Sequence, residues 1–224
     1  MRYSIFKQDR NTVIVYVVLV GLIVATSLLS EIFLTSRNIQ NLLTQVVPLG
    51  LVSVGQTFTI LTAGIDLSIG SVVSMASCLT TGMILGRESL ILPVIAFVIV
   101  MALFIGFCNG FVITKTRVHP LIVTLGMMSV VQGALLLYTK SPVGSVPPVF
   151  DYLAWGKAWF IPFPIILFAV VATAGIFILR RTTFGRYVYA TGGNEEVARL
   201  SGIKIARVKI ITYMICSLTA AMTG

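Results

Sequence analysis

Long, nearly uninterrupted apolar runs dominate this chain. Residues 12–29, 46–63, 67–85, 90–114, 121–138, 160–179 and 208 to the end carry few or no charges. At about 1.5 Å per helical residue, each of the first six reaches across a hydrocarbon core, allowing for tilt or interfacial ends. Strands that span a bilayer alternate apolar and polar residues, and these runs do not. Helices satisfy their own backbone hydrogen bonds in lipid, so the spans are helices. Only 10% of residues are charged and the mean hydropathy is +1.02, against about 25% charged in soluble domains. The expected fold is an all-α, multi-pass membrane protein with six complete spans and an incomplete seventh. It forms one transmembrane domain over residues 1–224. The first run lacks a small-residue cleavage site before Glu31 and is read as a retained span.

Charge sets the orientation. Residues 1–10 carry +2, residues 115–119 carry +2 and residues 180–209 carry +5, which together account for the whole net charge of +9. Lys and Arg collect on the cytoplasmic side of membrane proteins. With the N-terminus cytoplasmic, six crossings bring residues 180–209 back inside, together with twelve of the sixteen basic residues. The excess of positive charge is therefore topological and is not read as a nucleic-acid surface. Residues 140–159 then lie outside. Pro142, Pro147 and Pro148 disfavour helix there, and Tyr152, Trp155 and Trp159 form an aromatic belt.

The segment 180–209 is the long charged island of the sequence. Gly192-Gly193 frees the backbone before a turn, and Asn194 is a good N-cap. Glu195 and Glu196 fall in a first helical turn, where the dipole favours acids, and Gly202 fits a C′ position. The helix between is about two turns long. Val197, Ala198, Leu200 and Ile203 give it an apolar edge. So short a helix is unstable alone in water and needs a partner surface. Arg207 and Lys209, at the mouth of the next span, can snorkel.

Residues 46–85 contain a single charge, Asp66. The chain turns near Gly64, which can take positive φ, and Asp66 or Ser68 can cap the next helix. Gln56, Thr59, Thr62 and Asp66 fall on one stripe if the helix runs on to the turn. That stripe suits a hydrophilic path for a polyhydroxylated solute. The Thr hydroxyls are better read as bonding back to their own helix. Asp66 remains open between a cap and a functional acid at membrane depth. Asn109 and Gln132 are buried polar groups in later spans and are read first as bridges between helices. Small residues, among them Gly50, Gly55, Gly70, Gly106, Gly110, Gly126 and Gly133, allow close helix packing. Pro48 and Pro93 can kink or break their helices. His119, before Pro120, reads as interfacial.

Catalytic signatures are missing. There is no G-x-x-x-x-G-K-[ST] phosphate loop, no H-E-x-x-H and no G-x-S-x-G. Cys78, Cys108 and Cys216 lie in apolar runs and read as reduced thiols, and the one histidine completes no metal set. The chain is not expected to be an enzyme or to hold a cofactor of its own.

Gly192-Gly193-Asn194-Glu195-Glu196-Val197-Ala198-Arg199-Leu200-Ser201-Gly202-Ile203, followed by Arg207-Val208-Lys209, closely resembles the cytoplasmic loop of bacterial ABC-importer permeases of the ribose/xylose/galactose type. Ala63-Gly64-Ile65-Asp66-Leu67-Ser68-Ile69-Gly70-Ser71-Val72 resembles that family's G-I-D-L-S-x-G-S motif. Asn109-Gly110 and Pro120-Leu121-Ile122-Val123-Thr124-Leu125-Gly126-Met127-Met128 extend the likeness along the chain. The resemblance implies a permease subunit of the bacterial inner membrane, surrounded by lipid and paired with a second copy. It implies ATP-binding cassette subunits docked on residues Gly193 to Gly202, with ATP bound by them, and a periplasmic sugar-binding protein outside. It also implies further helices beyond Gly224, so that this chain resembles a C-terminally shortened member. The solute-path candidates are Gln56, Thr59, Thr62, Asp66, Ser68, Asn109 and Gln132. Two rival readings are an ion-coupled carrier that uses Asp66 and a non-transporting fragment.

Overall fold

The computed structural model describes residues 10–116, 118–141, 144–158 and 161–224. The expectations for residues 1–9, which include the cytoplasmic N-terminus, and for Arg117, Pro142 and Trp159 lie outside the described residues. The helices are α1 (Arg10–Leu29), α2 (Ser36–Leu61), α3 (Ile69–Ile84), α4 (Ile91–Thr116), α5 (Pro120–Tyr138), α6 (Pro148–Trp155), α7 (Phe163–Arg181), α8 (Thr183–Gly193), α9 (Glu195–Leu200) and α10 (Ile205–Thr223). A 3-10 turn, Glu88–Leu90, leads into α4. Two short strands, β1 (Lys157–Ala158) and β2 (Ile161–Pro162), pair antiparallel before α7. Among the described residues, six helices are long and apolar enough to cross a membrane: α1, α2, α4 with its leading turn, α5, α7 and α10. The chain is an all-α, multi-pass membrane protein.

By its internal contacts the chain divides into two units, residues 1–43 and 44–224. The first holds α1 and the opening of α2. Thr35 Oγ1 accepts from the Asn38 amide at 3.3 Å and starts that helix, while Asn38 Nδ2 donates to the Phe33 carbonyl at 2.8 Å.

The second unit is built around α10, which packs chiefly against α4 and α3. Glycines make this possible. A Cβ at Gly110 would lie 2.5 Å from Ile210 Cα, and one at Gly106 would lie 2.6 Å from the Tyr213 carbonyl oxygen and 2.7 Å from Met214 Cα. Gly106 and Gly110 stand four residues apart on one face of α4, the small-xxx-small spacing that lets helix backbones touch. On the α2 side, a Cβ at Gly55 would run into Thr219 Oγ1 and Cys216 Cα. Val72, Met75, Ala102, Ile105, Cys216 and Ala220 fill the core between these helices. Ala76, Ile84, Val94 and Val98 close a smaller cluster between α3 and α4.

The elements depart from the sequence reading in specific places. The third apolar segment is a helix of only 16 residues, α3, and α10 runs for 19 residues. The second helix starts at Ser36 and passes through Pro48 unbroken. The chain turns with positive φ at Ala63 (58°), where glycine was expected to supply it at Gly64. Gly64 is needed for space instead, since a Cβ there would meet the Tyr213 hydroxyl at 2.5 Å. The prolines of the outer loop do not exclude helix: Pro148 begins α6, at the position where a missing N–H costs no intrahelical bond. Gly192 and Gly193 end a helix, α8, that the sequence reading placed in a free loop.

Candidate functional site

The charged island resolves into two helices and their caps. Thr182 separates α7 from α8 as a single extended residue. Its Oγ1 accepts from the Gly185 amide at 3.2 Å and donates to the Ile178 carbonyl at 2.6 Å. Gly185 lets α8 fold tightly onto the end of α7, because a Cβ there would strike the Ile178 and Leu179 carbonyls. Gly185, Val188 and Thr191 form the buried face of α8, and Arg186, Tyr187 and Tyr189 are exposed. At its far end Gly192 abuts the Leu61 carbonyl oxygen, which leaves no room for a side chain.

Asn194 then starts α9, its Oδ1 accepting from the Val197 amide at 3.0 Å. Glu195 and Glu196 occupy the first turn, where the helix dipole favours them. Gly202, at φ 81°, ends the helix in the left-handed region, and the Ile203 amide donates back to the Ala198 carbonyl at 3.1 Å. Ala198 is buried, whereas Val197 and Leu200 are 57% and 79% exposed. The apolar edge is thus divided: Ala198 faces the protein and Val197 and Leu200 face outward. Two ion pairs involve this helix. Arg199 binds Glu196 within the helix at 2.6 Å, both exposed. Lys209 Nζ, on α10, reaches Glu195 Oε2 at 2.7 Å. The sequence reading, that Lys209 can snorkel at the mouth of its span, did not foresee this partner.

The second cluster is polar and buried. Asp66, in the turn between α2 and α3, is 2% exposed. Its Oδ1 accepts from the Ser68 amide at 2.9 Å and from Ser68 Oγ at 2.6 Å. Asn109 Nδ2 on α4 donates to Ser68 Oγ at 2.9 Å, so Asn109 does bridge helices. Burial pushes the Asp66 carboxyl above its ordinary range, and the hydrogen bonds it accepts from Ser68 work against that rise. Asp66 Oδ2, Asn109 Oδ1 and the Tyr213 hydroxyl are buried without a hydrogen-bond partner among the described residues. Around the same turn, Thr124 Oγ1 of α5 donates to the Ile65 carbonyl at 3.3 Å, and the Thr62 and Thr212 hydroxyls lie 3.5 Å apart. The turn therefore gathers α2, α3, α4, α5 and α10.

Of the sequence-derived candidates, Thr59 and Thr62 bond back along α2, to the Gln56 and Thr59 carbonyls at 2.9 Å each. Gln56 Oε1 accepts from the Cys216 thiol at 3.4 Å. Asp66, Ser68 and Asn109 come together. Gln132 is exposed on α5 and is not drawn into this cluster. Sequence reasoning missed Tyr213, Thr212 and Thr191, which are buried polar residues. A hydroxyl within an apolar run gives no local sign of what it faces.

Comparison with known proteins follows the same outline. Residues 38–224 match the family model described as branched-chain amino acid transport system / permease component. The ribose import permease protein RbsC of Bacillus subtilis (strain 168) is 39% identical over 91% of this chain and 64% of its own length. RbsC of Escherichia coli (strain K12) is 36% identical over 97% of this chain and 68% of its own. The L-arabinose ABC transporter permease protein AraH of Azospirillum brasilense is 34% identical over 100% of this chain and 66% of its own. The chain thus spans about two thirds of the length of these relatives. No solved structure matches it.

Proposed function

This chain belongs to the branched-chain amino acid transport system / permease component family, and on that premise we propose that it is the membrane-spanning permease subunit of an ATP-binding-cassette importer for a monosaccharide. The family is one of transport permeases rather than enzymes. The solute is a sugar of the ribose, xylose or galactose kind, in keeping with relatives named for ribose and L-arabinose. The protein works in the bacterial inner membrane as one of two copies. A periplasmic binding protein delivers the sugar.

The observation that carries this reading is α9. It is a helix of about two turns, capped at both ends, and it holds Val197 and Leu200 outward where none of the described residues covers them. Exposed apolar side chains at i and i+3 on a short capped helix suit a groove on a second protein. The sequence contains no phosphate loop, and in this reading the driving ATPase is a separate subunit. Charge places residues 180–209 on the cytoplasmic side, where ATP is available. In this scheme the cassette grips α9, and ATP binding and hydrolysis move it. Backbone contact through Gly192 and the α9–α10 connection passes that motion to the α2–α3 turn. Gln56, Thr59, Thr62, Asp66, Ser68, Asn109 and Gln132 remain the proposed solute-path residues: Thr62, Asp66 and Ser68 lie in this turn, Gln56, Thr59 and Asn109 on helices that meet it, and Gln132 is exposed on α5.

Asp66 supports a second reading, an ion-coupled carrier, because Oδ2 is buried and unpartnered. One experiment separates the two. Uptake of labelled ribose, xylose, arabinose and galactose is measured in cells holding this chain with its ATP-binding subunit, with and without residues 194–201. ABC import predicts uptake that follows cellular ATP and disappears with the deletion. Uptake that survives the deletion, or collapses with an uncoupler while ATP stays high, overturns it.

A further inference from the structure

Two ion pairs share α9, and only one leaves it. Glu196 and Arg199 pair within the helix and are 63% and 61% exposed. Such a pair contributes little to stability and constrains nothing beyond its own turn. Glu195 pairs across to Lys209, 14 residues on, and the Lys209 side chain is only 17% exposed. A lysine stem packed against protein, with its ammonium on a single acid at 2.7 Å, is a fixed geometry rather than a solvated one. Lys209 also falls inside the apolar helix α10, where a charge is costly unless it has a partner.

The covalent link between α9 and α10 is weak as a mechanical element. Residues 201–204 form a short non-helical connection that includes Gly202 at positive φ. A loop of this kind absorbs displacement by small changes in φ and ψ. Six residues of helix cannot hold their own position in water. Beyond Lys209 the situation reverses. The next residue, Ile210, touches Gly110 of α4 backbone to backbone, and Tyr213, Met214 and Cys216 make the contacts with Gly106 and Gly55. A displacement applied at Lys209 therefore enters α10 one residue before its glycine contacts begin.

We propose that Lys209 is a positioning residue: its ion pair with Glu195 joins the docking helix α9 to α10, so that the two move as one part. The proposal rests on the reading of α9 as the ATPase contact. Without the ion pair, α9 still meets its partner, but the 201–204 connection takes up the motion and hydrolysis is spent without transport.

The test uses the chain assembled with its ATP-binding subunit, reading uptake of labelled ribose, ATP hydrolysis and co-purification of the two subunits. Lys209→Met is expected to leave co-purification and hydrolysis in place and to cut uptake per ATP hydrolysed by about tenfold, the size of an ordinary coupling between sites, and Glu195→Gln is expected to cut uptake per ATP hydrolysed to a similar extent. The exchange Glu195→Lys with Lys209→Glu restores most of it, which excludes mere misfolding as the cause. Normal uptake per ATP in Lys209→Met, or an exchange variant no better than the single variants, overturns the proposal. Deletion of residues 194–201 tests the underlying reading separately: if co-purification survives that deletion, the docking role of α9 fails. If co-purification is lost there while Lys209→Met is silent, only the Lys209 inference fails.

Discussion

Gly192 sets the end of α8 directly against the carbonyl oxygen of Leu61, the last residue of α2. Both partners are backbone, so neither can swing away as a long side chain would. Gly192→Ala is expected to destabilise the protein by about 1–3 kcal/mol, the usual cost of overpacking a closed contact. The neighbouring Gly193 has open space around it, and Gly193→Ala should be neutral or mildly stabilising, because alanine is the better helix former. Thermal unfolding of the two variants in detergent measures the difference. Equal melting temperatures would refute the contact.

The α4–α10 contact makes a parallel claim at greater depth. Gly106→Ala and Gly110→Ala each place a methyl within 2.7 Å of α10 backbone atoms. Each is expected to lower thermal stability by about 1–3 kcal/mol. Gly126, with nothing within 4 Å of its missing Cβ, is the control on α5 and should tolerate alanine.

Asp66 gives a pH dependence. Its carboxyl is raised from the ordinary value of 3.8, with burial the largest cause. A raised carboxyl favours the folded protein while protonated. That stability is fully present below the ordinary value and is lost as pH rises through the raised one. Asp66→Asn keeps an acceptor for Ser68 and removes the buried ionisable group. The variant should be at least as stable as the parent at neutral pH and should lose this pH dependence. Asp66→Ala strands Ser68 and should cost about 1–3 kcal/mol at neutral pH. Melting curves across the acidic range read all three proteins. Retained uptake in Asp66→Asn would also count against an ion-coupled carrier.

The Asn194 cap should matter locally. Asn194→Ala removes the acceptor for the Val197 amide and is expected to weaken α9 by about 1 kcal/mol. Amide exchange at Val197 and Ala198 should rise several-fold, with little change in α10. Asn194→Ser, which keeps a capping oxygen, should restore protection.

What the sequence made legible was local. Asn194, the two glutamates and Gly202 announce α9 because each cap acts through residues two to five positions away. The apolar runs announce the spans because lipid demands length and continuity. What escaped depended on distant neighbours. α8 is rich in Thr, Tyr, Val and Gly, which are poor helix formers, and it holds because Gly185, Val188 and Thr191 are buried. The need for glycine at position 64 comes from Tyr213, almost 150 residues later, and no local rule reports it. Val197 and Leu200 were read as an apolar edge with Ala198, but which of them would face outward was set by the tertiary fold. Lys209 looked like an ordinary interfacial lysine because its partner, Glu195, lies on another helix.

The central position of α10 has a consequence for biogenesis. Ribosomes deliver α2, α3, α4 and α5 to the membrane before α10 exists. Until it arrives, the bare glycine faces at Gly55, Gly106 and Gly110 have nothing to touch, and the Asp66–Ser68–Asn109 cluster lacks the wall that α10 gives it. The early helices must wait in the bilayer or at the insertion machinery as an open half-bundle, with a carboxylate among them that lipid disfavours. Insertion of α10 gives those glycine faces their partner and brings Lys209 to Glu195 of α9.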